Sequence, residues 1–225
     1  MKKRIFNLII VDESGSMGAI REQAFDGMNE TINTIKKMQE EQPDIEQHIT
    51  LITFDSSAKK VIYDNALASK CKPLEWNQYQ PNACTPLYDA IGMGVSKVNS
   101  QCAKDDNVLV TIITDGEEND SHEYTLSMVK NLVSKLKEQH WTFTLIGTDN
   151  LDVEGMAKSF AIDNHLSFKE DAESTRQMWA SERHARRRYN ACVQMDCAMP
   201  RGSYFKEDDA PANKKGKKNL KKKSL

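Results

Sequence analysis

The segment Asp12-Glu13-Ser14-Gly15-Ser16 lies between an apolar run at residues 5–11 and a long stretch of helical periodicity. An acid and two hydroxyls, spaced two residues apart, therefore lie where a buried strand passes into a helix. This is the usual position of a ligand crevice in an open α/β sheet. Carboxylate and hydroxyl oxygens suit Mg²⁺, Mn²⁺ or Ca²⁺ better than zinc. The segment, called the metal loop below, predicts a divalent cation site.

Apolar runs alternate with helical periods along the chain, which predicts an α/β fold. We expect a doubly wound, mostly parallel six-stranded sheet with helices on both faces. Strands are predicted at residues 5–11, 47–54, 59–63, 108–114, 141–147 and 165–168. Helices are predicted at residues 20–41, 85–101, 121–139, 152–160 and 174–189. The short turn at residues 55–57 forces the second and third strands into an antiparallel hairpin at the sheet edge.

The chain has 225 residues and a net charge of −2, which is unevenly distributed. Eight lysines against three acids give residues 206–225 a net charge of +5, so the remainder carries −7. An acidic body is a poor surface for nucleic acid. Residues 1–190 are predicted to form one domain and residues 191–225 a C-terminal extension. Because the lysine-rich end has few apolar residues to bury, we expect disorder from about residue 206.

Cysteine content and hydropathy indicate where the protein works. The five cysteines are odd in number and irregularly spaced, unlike the disulfide framework of a small secreted protein. Cys192 and Cys197 are too far apart in sequence for the common zinc half-site. No apolar run approaches the roughly 18 residues that a membrane helix needs. We therefore expect a cytoplasmic protein that does not enter the membrane.

Three loops are predicted to meet at the carboxyl edge of the sheet, because the chain reverses direction between its central strands. Asp12 and Asp115 each end one of these strands, and two carboxylates there would repel one another without a cation between them. Ser14, Ser16 and Thr85 would add neutral oxygens. Taken singly, each residue is also explained as a turn or cap residue. Their convergence on one edge favours a metal site.

The same three loops resemble the von Willebrand factor A (vWA) domain family over about residues 4–168. They match its metal-ion-dependent adhesion site (MIDAS) through Asp12-x-Ser14-x-Ser16, Thr85-Pro86-Leu87-Tyr88-Asp89-Ala90-Ile91 and Thr114-Asp115-Gly116-Glu117. The resemblance implies that Ser14 and Ser16 bind the cation directly, and that Thr85 binds it directly or through water. It implies that Asp12 and Asp115 often act through water, and that a Glu or Asp of a partner protein completes the shell. Intracellular bacterial members of the family tend to act in multi-protein assemblies.

Two details of the loops leave alternatives open. Family members often have Gly-Gly-Thr where this chain has Ala83-Cys84-Thr85, which leaves the loop less free to take positive φ angles. The third loop is unusually acidic at Glu117, Glu118 and Asp120. These acids are interpreted as the solvated start of a helix, whose N-terminus favours negative charge. A second cation site is the alternative.

The loops lack the lysine, arginine or histidine that metal-dependent hydrolysis commonly uses, so an enzyme is not expected. We expect instead a metal-dependent protein-interaction module, with Mg²⁺ as the preferred cation. Trp76 and Tyr79 are predicted either to form an apolar rim around the captured acid or to pin their loop to the body. A metal-dependent phosphohydrolase is one alternative. Nucleic-acid binding through the basic C-terminal region is the other, carried by Arg183, Arg186, Arg187, Arg188 and the lysine tail.

Overall fold

The computed structural model describes residues 2–197 and 199–206. In this part of the chain, one six-stranded sheet has the order β3-β2-β1-β4-β5-β6. The strands are β1 (Lys3–Asp12), β2 (Ile45–Phe54), β3 (Lys59–Leu67), β4 (Asn107–Thr114), β5 (Trp141–Thr148) and β6 (Asn164–Phe168). All neighbours pair in parallel except β3, which is antiparallel to β2 at the edge. The predicted sheet is confirmed.

Helices cover both faces of this sheet, as predicted. They are α1 (Arg21–Glu41), α2 (Leu87–Asn99), α3 (Leu126–Leu136), α4 (Val153–Ser159) and α5 (Ala172–Gln194). Side chains alternate in direction along a strand, so β1 contributes to two cores. Leu8 and Ile10 pack with α2, α3 and α4. Ile9 and Val11 pack on the opposite face with α1 and α5.

Helix α3 begins five residues later than predicted, because a buried carboxylate captures the backbone before it. Asp89 accepts hydrogen bonds of 3.1, 2.9 and 2.7 Å from the amides of His122, Glu123 and Tyr124. These amides are therefore held in a turn. The helix starts only after Thr125, whose side chain accepts a hydrogen bond from the Met128 amide.

Helix α5 runs five residues beyond its predicted end at residue 189 and reaches Gln194. The described residues after it return to the body of the domain, where Tyr204 is fully buried. The tail for which we expect disorder lies outside the described residues, apart from Lys206. Across the described part of the chain, no helix is long and apolar enough to cross a bilayer.

The topology places the ends of β1 and β4 side by side. Both strands run parallel and pair directly, with Val11 opposite Ile113. The chain leaves β1 toward β2 and later returns to the other side of β1 as β4, so a crevice opens between the two strand ends. Asp12 is the last residue of β1, and Asp115 directly follows β4.

Candidate metal-binding site

Asp12 is held rigidly at the base of the crevice. Its side chain is fully buried. The Ser14 amide donates a 2.7 Å hydrogen bond to Oδ1, and the Thr114 hydroxyl donates a 2.6 Å bond to Oδ2. Burial raises the pKa of Asp12, although these hydrogen bonds oppose the change. Both carboxylate oxygens thus have a fixed direction before any ligand binds.

Ser16 links the loop after β1 to the loop after β4. Its hydroxyl donates a 2.9 Å hydrogen bond to Oδ1 of Asp115 and lies 3.2 Å from the Ser14 hydroxyl. The other carboxylate oxygen of Asp115, Oδ2, is buried without a hydrogen-bond partner among the described residues. Burial, followed by the neighbouring charge of Asp12, raises the pKa of Asp115 to about 7. A cation beside this carboxylate would favour its ionised form and so offset both effects.

Thr85 lies close to the loop that carries Asp115, because Gly116 in that loop has no side chain. A Cβ atom at Gly116 would lie 3.1 Å from Thr85 Oγ1. Asn119 fixes the Thr85 backbone from both sides: its Oδ1 accepts a 2.8 Å bond from the Thr85 amide, and its own amide donates a 3.2 Å bond to the Thr85 carbonyl. The structure therefore brings the predicted site residues together at one sheet edge: Asp12, Ser14, Ser16, Thr85 and Asp115.

Ala83 takes a left-handed backbone conformation, although the loop lacks the glycines that family members often have there. Its φ angle is 60°, although an L-residue there costs roughly 1–2 kcal/mol. Neighbouring loops hold it in place. The Gly15 amide donates to the Ala83 carbonyl at 3.1 Å, and Ser56 exchanges two 3.1 Å bonds with the backbone of Cys84. The loop thus reaches this conformation without glycine.

Glu13 is a structural residue that the sequence did not single out. It lies between two predicted ligands and is fully buried. Its Oε1 accepts a 2.7 Å bond from Lys60 Nζ and another from the Gln80 amide. Its carbonyl accepts a 2.8 Å bond from the Asn82 amide. Glu13 therefore ties the metal loop to β3 and to the connecting segment (residues 68–86) that leads into α2.

The acids of the third loop have separate roles, and the interpretation of Glu118 as part of a solvated helix start is wrong. Its carboxylate accepts bonds from the amides of Tyr88, Asp120 and Ser121 at 2.9, 2.9 and 2.6 Å. It thereby joins this loop to the first turn of α2. Glu117 is exposed. The described residues contain no group of three or more His, Cys, Asp or Glu side chains placed to hold a metal. The crevice itself contains two carboxylates and three hydroxyls.

Tyr79 is not available to a partner protein. It is fully buried, and its hydroxyl donates a 2.8 Å bond to the carbonyl of Asp12. Its predicted place in an apolar rim is therefore wrong, and the alternative of pinning the loop is what the structure shows. Trp76 remains 48% exposed. Its ring lies 4.1 Å from the Arg21 guanidinium carbon and contacts the edge of Phe25.

The arginines considered for nucleic-acid binding are engaged within the domain. Arg186 is buried and pairs with Glu182 at 2.7 Å. Arg183 pairs with Glu30 and Arg187 with Glu41. Arg188 donates to the carbonyls of Tyr204 and Lys206. A basic nucleic-acid surface needs free cations, and these side chains already have partners.

A model of one protein family, the von Willebrand factor type A domain, matches residues 8–180. The chain belongs to this family. vWA domains are generally protein-interaction modules, and most are not enzymes. A comparison with curated protein sequences gives no match.

Solved structures share the vWA fold of this chain at low sequence identity. The vWF domain of the type V pili tip protein Mfa5 from Porphyromonas gingivalis has a TM-score of 0.57 at 10% identity, over 89% of this chain and 98% of that one. The SpRpn10 VWA domain has a TM-score of 0.55 at 14% identity, over 80% and 95%. The PilB minor pilin from Streptococcus sanguinis has a TM-score of 0.58 at 11% identity, over 88% and 63%.

This vWA chain spans less than two thirds of several larger proteins that it matches. It covers 63% of PilB and 44% of proximal thread matrix protein 1 from the mussel byssus. At these identities the likeness concerns the fold alone.

Proposed function

We propose that this vWA domain is a metal-dependent protein-interaction module. A divalent cation, Mg²⁺ in preference to Mn²⁺ or Ca²⁺, is held by Asp12, Ser14, Ser16, Thr85 and Asp115 in the manner of a MIDAS. The cation captures a Glu or Asp side chain of a partner protein. The observation that carries the proposal is Oδ2 of Asp115, which is buried without a hydrogen-bond partner among the described residues.

The donor set suits a hard divalent cation. It consists of oxygen atoms only, which Mg²⁺ and Ca²⁺ prefer. Ionising both Asp12 and Asp115 inside the crevice is costly without a positive charge, as the raised pKa of each carboxyl indicates. A bound cation would remove this cost, whereas Ser14, Ser16 and Thr85 would leave its charge unchanged. The cation would then still attract a third carboxylate, through a charge-assisted contact.

The residues divide into two roles under this proposal. The Ser14 and Ser16 hydroxyls are the direct ligands, and Thr85 binds the cation directly or through water. Asp12 already accepts bonds at both oxygens, so it suits an indirect role through water. The cation supplies an electrophile that the protein side chains lack. The chain would hold that cation, and a carboxylate of a partner protein would complete its coordination.

Binding suits the site better than hydrolysis. Cations on the neighbouring edge strand β3 are already engaged, since Lys60 pairs with the buried Glu13 and Lys59 lies 3.4 Å from the buried Asp89. They therefore stabilise the fold and are not free to neutralise the negative charge that develops in the transition state of hydrolysis. The His122 side chain is 82% exposed, and its Nε2 lies 3.6 Å from Asp120 Oδ1. A phosphohydrolase needs such groups at the reacting atoms.

Mn²⁺ titration of the full chain tests the cation site. Isothermal calorimetry is expected to show one site, and Ser16→Ala is expected to weaken Mn²⁺ binding at least tenfold, or about 1.4 kcal/mol. Ser100→Ala is the matched control, because its hydroxyl donates only to the Lys97 carbonyl on an exposed helix end. Equal Mn²⁺ affinity in both variants would contradict the proposed ligand set.

Water-proton relaxation of the Mn²⁺-loaded chain tests the capture of a carboxylate. N-acetylglutamate amide is expected to displace water from the bound ion and lower the relaxation rate. N-acetylglutamine amide, which has the same shape without the charge, is the control ligand. The capture hypothesis fails if the two compounds give the same relaxation rate at the same concentration.

A further inference from the structure

Helix α5 ends in a turn that brings two cysteines together. The amide of Asp196 donates a 3.2 Å bond to the Val193 carbonyl, and the amide of Cys197 donates a 2.9 Å bond to the Cys192 carbonyl. Asp196 between them has a φ angle of 53°. These bonds and this left-handed residue define a Schellman motif, in which the residue after the turn packs beside the one five positions before it. Here both of those residues are cysteines.

A backbone hydrogen bond brings the two cysteines close together. A 2.9 Å bond between their backbones keeps the Cα atoms within about 7 Å. Disulfides span about 4.4–6.8 Å between Cα atoms. The side chains also interact: burial, and then the hydrogen-bonding contact with Cys197, raises the pKa of Cys192 to about 11. Both cysteines are free thiols in the structure.

A cavity of about 500 Å³ gives small molecules access to the pair. Cys192 and Cys197 both line it, together with Asn107 and Trp141 at the amino ends of β4 and β5. The cavity therefore lies at the opposite sheet edge from the metal loop. Cys197 is partly exposed, whereas Cys192 is 6% exposed. Cys197 is therefore the more accessible of the two residues.

We propose that Cys192 and Cys197 are a modification site, at which exchange with a low-molecular-mass disulfide such as oxidised glutathione forms a reversible intramolecular disulfide. The Cys197 thiolate attacks one glutathione sulfur, which breaks the glutathione S–S bond and releases one glutathione thiolate. Cys192, which gives up its proton in this step, then attacks Cys197 Sγ in the mixed disulfide and releases the second glutathione thiolate. Both glutathione thiolates take up the protons that the two cysteines lose. Two protein thiols are oxidised and one glutathione disulfide is reduced.

The experiment uses the full chain, equilibrated with oxidised glutathione, then alkylated and digested with trypsin. The sequence has no lysine or arginine between Arg188 and Arg201, so both cysteines fall in the single peptide 189–201. Mass spectrometry is expected to show this peptide lacking two hydrogens and both alkyl groups. Excess reduced glutathione is expected to restore two alkyl groups. The exposed Cys84 lies in another peptide and reports that the oxidant was active.

Single variants separate proximity from ordinary thiol reactivity. In Cys192→Ser, glutathione is expected to remain attached to Cys197, because no second thiol releases it. Cys84→Ser is the matched control and is expected to form the disulfide as the natural sequence does. The proposal is overturned if peptide 189–201 carries two glutathione adducts. It is equally overturned if both of its cysteines stay alkylatable while Cys84 has reacted.

Discussion

The phenolic hydroxyl of Tyr79 donates a 2.8 Å hydrogen bond to the backbone carbonyl of Asp12, and both residues are fully buried. Asp12 ends β1, and Tyr79 lies in the connecting segment. This bond and those of Glu13 hold the segment against the strand end that carries the metal loop. The segment has little regular structure of its own, so such side-chain contacts determine where Thr85 lies.

Tyr79→Phe is expected to destabilise the fold by about 1–3 kcal/mol, because it leaves a buried carbonyl without this donor. Urea denaturation monitored by circular dichroism gives the free energy of unfolding. Tyr124→Phe is the matched control, since its hydroxyl lies 3.2 Å from Ser96 Oγ at an exposed position. An equal loss of unfolding free energy in the two variants would show that the bond to Asp12 contributes no more than an exposed hydroxyl contact.

Asn119→Ala is expected to weaken Mn²⁺ binding about 10-fold without unfolding the domain, because supporting residues orient the ligands that touch a metal. Asn119 holds the Thr85 backbone through both its side chain and its amide, and the substitution removes the side-chain contact. Calorimetric titration measures the affinity. Asn77→Ala changes an exposed asparagine of the connecting segment and is expected to bind Mn²⁺ as the natural sequence does. Unchanged affinity in Asn119→Ala would show that Thr85 does not depend on this support.

The stability of the metal-free protein is expected to depend on Asp115. Its pKa is raised from 3.8 to about 7 in the folded state, so the folded protein binds this proton more tightly than the unfolded chain does. The protonated Asp115 carboxyl therefore makes its full contribution to the free energy of unfolding below about pH 4. This contribution is lost as the pH rises through about 7. In EDTA, the free energy of unfolding should therefore fall across this range. Asp115→Asn should remove that part of the fall.

Mg²⁺ should act in the opposite direction, because a cation favours the ionised carboxyl. Thermal unfolding with and without Mg²⁺ measures the effect. Stabilisation by Mg²⁺ is expected to be larger at about pH 8 than at about pH 5, where the proton competes with the cation. The same Mg²⁺ effect at both pH values would count against Asp115 as a ligand.

The sheet was predictable because its signal is periodic and local. Apolar runs, helical stripes and the short turn before β3 specify the strand order once parallel connections are assumed. The gathering of Asp12, Thr85 and Asp115 at one edge follows from that order. The contacts of the connecting segment then determine the exact position of Thr85 at that edge.

Contacts between residues far apart in sequence explain what was missed. Asp89 captures the backbone of residues 122–124 and delays α3, although the local pattern favours a helix there. Tyr79 is buried in the core and bonds to Asp12, which is 67 residues away in the sequence. Gly27 resembles an ordinary helix interior residue in the sequence, but a Cβ there would lie 2.2 Å from the Trp179 ring. None of these contacts appears as a periodic pattern in the amino-acid sequence.

The position of helix α5 on the sheet depends on a buried ion pair, which also contacts residues far away in the sequence. Arg186 and Glu182, one turn apart on α5, are 1% and 0% exposed and lie 2.7 Å apart. Arg186 also donates to Asn7 on β1 at 2.6 Å and to Thr111 on β4 at 2.9 Å. The Tyr204 hydroxyl donates to Glu182 at 3.2 Å. The pair therefore joins α5 to the middle of the sheet and to the segment that follows the helix.

Arg186→Leu is expected to cost about 3–5 kcal/mol, because it leaves the Glu182 charge buried without its partner. Combining it with Glu182→Leu should cost less than the sum of the single changes, since both charges are then removed. Urea denaturation of the three variants measures this coupling.

Glu154 and Lys158 provide the matched control, because they have the same spacing and a 2.6 Å contact on an exposed helix. Lys158→Leu should change stability little, because water solvates the remaining carboxylate. Additive losses for Arg186 and Glu182 would show that their charges act independently.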